Sequence, residues 1–229
     1  MFVWRFLFRA VKHTFPWKTS YFNGSFSSKK IKVYKTDSDI ILDGVLDEKF
    51  WSECELIDNF FQQFPDDSIQ SNLITEVRIA YTDQRIFLSG VMYDSVPEKY
   101  LINSLKRDFG GPENESVTFT FDTYNDQKNA FNFGISPYNV QREVLISEGG
   151  TSTWGGGGRS SSGPSWFNSS WNTRWESFVK KYEDFWIVEI SIPFKSLRYR
   201  KDSRISVSYT HLRAHETSLH LVCRLLLEK

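Results

Sequence analysis

The sequence predicts an all-β protein, an antiparallel β-sandwich of jelly-roll type with one short helix. Three observations predict it. Apolar residues alternate with polar ones through most of residues 31–199, as in strands that bury one face. Turn residues interrupt that alternation at short intervals, which suits hairpins rather than long crossovers. Helical periodicity is nearly confined to residues 47–55. Aromatic residues make up 17% of the 229-residue chain, enough both to fill the space between two sheets and to offer flat faces to a ring-shaped ligand.

The first well-marked element is IILDGVLDEKFW, residues 40–51. Asp43-Gly44 follows the apolar run Ile40-Ile41-Leu42, and Asp-Gly after a strand marks a turn because glycine accepts a positive φ without a Cβ clash. Asp47 then stands where a helix N-cap is expected, with Glu48 adding favourable charge to the first turn. Leu46 and Trp51 fall at N′ and N4, the spacing of a hydrophobic staple, while Phe50, Trp51 and Cys54 share one apolar face. Three crowded carboxylates are thereby read as architecture: strand, turn, short capped helix.

Hairpins follow. Val77, Ile79 and Tyr81 alternate with polar neighbours in EVRIAY, and the TDQR turn leads into IFLSGVMY. Val117, Phe119 and Phe121 share a face, Asn125-Asp126 turns the chain, and Phe131, Phe133 and Ile135 return until Pro137 closes the strand. QREVLIS continues as a strand, and RWESFVKKYEDFWIVEISIPF supplies a last hairpin turning near Glu183-Asp184. Residues 149–171, GGTSTWGGGGRSSSGPSWFNSSW, are too rich in Gly and Ser to pack and are read as a long loop.

The chain divides into an atypical segment 1–30, a sandwich over 31–203 and a tail over 204–229. In the first, MFVWRFLFRAVKHTF is apolar and basic, but Arg5, Arg9 and Lys12 interrupt it before it reaches the length of a signal-peptide core or a membrane span. A degraded signal peptide and an amphipathic surface helix both fit it. The tail, SYTHLRAHET onward, resembles translated adapter or assembly-artefact sequence joined to an interrupted reading frame, and is expected to complement no neighbouring strand. His211, His215, His220 and Cys223 are zinc-ligand types within it, His211 and His215 four apart as on a helix face, but the non-native reading is preferred.

Composition excludes several functions. Lys plus Arg equal Asp plus Glu at 28 each, so no global field recruits nucleic acid or an anionic membrane. Cys54 and Cys223 make no disulfide framework or metal spacing. No GxSxG, P-loop, Rossmann glycine pattern or HExxH is present.

Taken in order, DGVLDEKFW (43–51), TEVRIAYTDQRIFLSGVMYDS (75–95), KRD (106–108), FDTYNDQKNAFNFGISPYNVQ (121–141), WNTRWES (171–177) and FWIVEISIPFKSLRY (185–199) resemble the family 9 carbohydrate-binding module. The version resembled opens a large group of bacterial, Bacteroidetes-type proteins of unknown function. The resemblance implies a noncatalytic sandwich that holds a larger secreted or outer-membrane protein on an oligo- or polysaccharide, in carbohydrate catabolism and often beside glycoside hydrolase domains. It implies an extracellular, periplasmic or outer-membrane location. It also implies a C-terminal outer-membrane barrel that the sequence does not contain, so the chain reads as a fragment.

In that family tryptophan rings sandwich the sugar and polar side chains take its hydroxyls. The resemblance therefore points to Trp171, Trp154 and Trp166, in or beside the polar loop, whereas Trp51, Trp175 and Trp186 sit in patterned elements and read as core. Arg107, Gln141 and Arg142 are candidates for hydroxyls, though each also suits a solvated position or a strand-end ion pair. The family's structural calcium points to Asp94, Asp108 and Asp122, near expected strand ends. Two alternatives remain open: glycoside hydrolysis by a carboxylate pair such as Asp122 and Glu176, and a structural periplasmic domain of a barrel protein.

Overall fold

The computed structural model describes residues 31–58, 60, 71, 74–93, 100, 102–109, 114–124, 126, 128–147 and 168–199, with 5–6, 61–62, 167, 205–212 and 220–228 described as strand backbone alone. The strands are β1 (Arg5–Phe6), β2 (Tyr34–Lys35), β3 (Phe61–Gln62), β4 (Thr75–Tyr81), β5 (Arg85–Tyr93), β6 (Ser116–Asp122) and β7 (Ala130–Ile135). They continue with β8 (Gln141–Ile146), β9 (Phe167–Asn168), β10 (Glu176–Lys181), β11 (Phe185–Pro193), β12 (Ile205–Leu212) and β13 (His220–Glu228), and the one α-helix described is α1 (Lys49–Glu53). Two sheets result. One runs β1-β13-β12-β6-β7-β8-β9 with β3 paired to β13; the other runs β10-β11-β5-β4-β2. Every pairing is antiparallel except β2 with β4. The expected antiparallel sandwich is the fold observed.

The alternation read from the sequence decides which side chains meet. Val77, Ile79 and Tyr81 of β4, Leu88 and Met92 of β5, and Trp186, Val188, Ile190 and Ile192 of β11 pack against Val117, Phe119 and Phe121 of β6 and Phe131, Phe133 and Ile135 of β7. The turns carry their own chemistry. Asp126 accepts the backbone N–H groups of Lys128 and Asn129 at 2.8 Å each, closing the β6–β7 connection as its short polar side chain allows.

The 40–54 segment covers the other face of the five-stranded sheet. Phe50, Trp51 and Cys54 pack on Ala80 of β4 and Phe87 of β5, with Leu46 and Ile40 at the edge. Gly44 has φ +75°, and a Cβ there would meet Lys180 Cβ at 2.3 Å, so this turn requires glycine for both conformation and closeness.

Two expectations are corrected. The helix begins one residue later than expected: Glu48, not Asp47, is its N-cap, and neither side chain caps it. Glu48 instead accepts the Ile41 N–H at 2.8 Å, while its carbonyl takes the Trp51 N–H, so Leu46 and Trp51 share a cluster without the staple register. The eight-stranded sheet also continues past residue 203, where the sandwich was expected to end. ISVSYTHL alternates like a strand, and β12 pairs with β6 from Ser206↔Asp122 to Leu212↔Ser116. His211 therefore lies on a strand opposite Leu221 rather than on a helix, and His215 lies outside the described residues.

Candidate functional site

Two sequence-predicted residues, Arg107 and Gln141, meet partners on β8 and β10, and a third, Trp171, packs on Phe131 and Phe133 of the neighbouring β7. Asp108 anchors the approach. Its backbone adopts a left-handed φ of 61°, its N–H donates to Gln141 O at 3.0 Å, and its carboxylate accepts the Glu143 N–H at 3.1 Å. Asp tolerates that conformation better than most residues. The 102–109 segment is thereby tied to the first half of β8, which delivers Arg107 to the site.

Glu143 is the hub. Gln141, Glu143 and Leu145 share a strand parity, and Glu143 stands opposite the core residue Phe133, so its carboxylate enters the sandwich and is fully buried. A buried carboxylate must be paired and hydrogen-bonded to persist. Oε1 pairs with Arg107 Nη2 and accepts the Thr173 N–H at 3.4 Å, and Oε2 accepts Trp175 Nε1–H at 3.1 Å. The Arg107 side chain keeps 44% of its surface exposed, so it is held through Nη2 without being enclosed.

A second polar chain runs beside it. Gln141 Nε2 donates to Ser177 Oγ at 2.9 Å and to Trp175 O at 3.5 Å, and Ser177 Oγ donates to Asn139 Oδ1 at 3.0 Å. Gln141 thus joins the two sheets through its amide. Two aromatic rings border this region. Trp171 is half-buried, its ring 5.1 Å from Phe131 and 5.8 Å from Phe133, so part of its surface completes the core and part remains open. Tyr138, in the β7–β8 turn, is 50% exposed and has Lys181 Nζ 3.6 Å from its ring centroid.

The remaining candidates are dispersed. Trp154, Trp166 and Asp94 lie outside the described residues. Asp122 is buried at the end of β6 and accepts the Asp126 N–H at 3.3 Å. Among the described residues no group of three or more His, Cys, Asp or Glu converges as calcium coordination would require. Arg142 is partly buried, and burial lowers its pKa while Asp108 opposes that shift. Asp122 and Glu176 belong to different sheets, and Glu176 is ion-paired with Arg85. Trp51, Trp175 and Trp186 are core, 2%, 5% and 0% exposed.

Sequence reasoning missed Glu143 and Tyr138. The signal for Glu143 lay in parity, since a strand that packs Leu145 against the core also turns residue 143 inward. Tyr138 follows the strand-closing Pro137, where an aromatic has no core to enter.

No family profile matches the chain. No curated protein matches it. Solved structures do. A family 9 carbohydrate-binding module from Caldicellulosiruptor kristjanssonii, determined in complex with cellotriose, superposes with a TM-score of 0.50 at 11% identity, over 86% of this chain and 83% of that one. Its glucose complex gives 0.50 and 11%, over 86% and 84%. A protein from Bacteroides uniformis ATCC 8492, provisionally named carbohydrate-binding, gives 0.61 at 10% identity, over 84% and 88%. At such identities it is the architecture that is shared, and in fold this chain is a β-sandwich of the family 9 carbohydrate-binding-module type.

Proposed function

We propose that this chain binds a saccharide noncatalytically, at the β8–β10 side of the sandwich, and so holds a larger protein on polysaccharide outside the cytoplasm. One observation carries the reading: a fully buried carboxylate, Glu143, fixes Arg107, whose side chain stays 44% exposed, and Glu143 stands opposite Phe133, on which the half-buried Trp171 ring packs. A preorganised donor fork takes hydroxyls in pairs, and an aromatic face takes the C–H face of a pyranose. Fixing Arg107 beforehand lowers the entropy lost on binding. The noncatalytic reading is supported by Glu176, which is engaged by Arg85 and stands apart from Asp122.

Cellotriose and glucose, bound by the neighbouring structures, are the first ligands to test. Calorimetry with cello-, xylo- and manno-oligosaccharides is expected to give saturable heat with at least one series. Trp171→Phe is expected to keep the core contact and weaken binding. The absence of heat across the panel refutes the proposal, as does a Trp171→Phe protein that binds as wild type does.

A further inference from the structure

We propose that Glu189 is a proton-operated latch for the 40–54 segment: neutral, it holds the Asp43–Gly44 turn on the outer face of the five-stranded sheet, and ionised, it lets that turn lift. The geometry comes first. Glu189 is fully buried midway along β11, on that face. Its Oε2 accepts two turn amides, Gly44 N–H at 2.7 Å and Asp43 N–H at 3.1 Å. Its Oε1 has no hydrogen-bond partner among the described residues, and neither has the buried hydroxyl of Ser89, the residue directly opposite on β5. A bare carboxylate there has only the two turn amides to answer its charge, and Oε1 stays without a partner in a buried place.

The charges around it do not compensate an anion. Asp43 and Glu48, from the covering segment, both disfavour ionisation. From β4, Arg78 is paired with Glu76 at 3.0 Å. From β10, Lys180 packs its stem beneath Gly44 and its Nζ lies 5.5 Å from the centroid of Tyr182. The outer positions of β5 facing Glu189 carry Phe87, Ser89 and Val91, none of them charged, and Arg85 at the start of that strand is paired with Glu176. From α1, Lys49 and Glu53 are exposed, and burial pushes the Cys54 thiol up to about 12.

Burial raises the Glu189 carboxyl from 4.5 to about 7, against the two turn amides, which favour the anion. The direction of the switch follows from this. A carboxyl that holds its proton more tightly when closed favours closing fully below 4.5, loses that preference as pH rises, and reaches its weakest closure above about 7. A displacement of that size corresponds to a factor of roughly 300 in the closing equilibrium.

The test is carbon NMR of the Glu189 side-chain carboxyl in the full chain, with amide exchange at Gly44 corrected for intrinsic base catalysis, from about pH 5 to about 8.5. The carboxyl is expected to titrate near pH 7 while Gly44 protection falls by up to roughly 300-fold through the same range. In Glu189→Gln that protection is expected to be independent of pH. A titration midpoint below about 5, or Gly44 protection that stays constant in wild type, overturns the latch. Both measurements are made on wild type, so a Glu189→Gln protein that does not fold leaves the decision intact.

Discussion

Trp51→Ala tests whether residues 40–51 are architecture. Trp51 is 2% exposed, its ring lies 4.7 Å from that of Phe50, and the two rings roof Ala80 and Phe87. A buried indole removes about 200 Å² from water, which at about 25 cal/mol per Å² is at most about 5 kcal/mol. Against this, Nε1 has no hydrogen-bond partner among the described residues, and an orphaned donor costs about 1–3 kcal/mol. The expected loss on truncation is therefore about 3 kcal/mol, the low end for large aromatic truncations. Trp51→Phe keeps most of the contact and removes the orphaned donor, so it should cost less than about 1.5 kcal/mol. Urea unfolding followed by circular dichroism, with midpoint and slope fitted separately, measures both. Saccharide binding by the folded protein should survive either change, because α1 packs on the outer face of the five-stranded sheet and the proposed site lies at its β10 edge. A Trp51→Ala cost under about 1 kcal/mol, or equal costs for Phe and Ala, refutes the reasoning.

Gly44→Ala adds a Cβ at φ +75° and 2.3 Å from Lys180 Cβ, so a loss of about 2–4 kcal/mol is expected in the same assay. Lys180→Ala should not rescue it, since the obstructing atom is the Cβ that alanine retains. Arg107→Ala leaves Glu143 buried without its cation and should cost about 3–5 kcal/mol, whereas Arg107→Lys keeps the charge, costs less, and weakens saccharide binding by losing the planar fork. Equal melting temperatures for the two Arg107 variants would count against the Glu143 hub.

What the sequence revealed, and what it hid, follows from the range of each interaction. Period-two alternation is local, so the faces of β4, β6 and β7 were legible, as was the division of tryptophans that makes Trp51, Trp175 and Trp186 core. The helix start was misjudged because capping is a competition. Glu48 took the Ile41 N–H seven residues upstream, and the Asp47 side chain does not cap. Trp171 was judged by its polar neighbours, yet its ring reaches Phe131 and Phe133 some 40 positions earlier in the chain. The two carboxylates that matter most, Glu143 and Glu189, were hidden for the same reason. Each lies in a strand whose pattern fixes its face but not its partner: Glu143 meets Arg107 and Trp175, and Glu189 meets a turn 145 residues away. Both are buried acids, but they differ in what answers the charge. Glu143 has a guanidinium and an indole N–H as partners at the proposed binding side. Glu189 has two amides and two neighbouring carboxylates, which leave its proton the better partner. Environment, not residue type, gives Glu143 a cation to hold and leaves Glu189 with backbone amides alone.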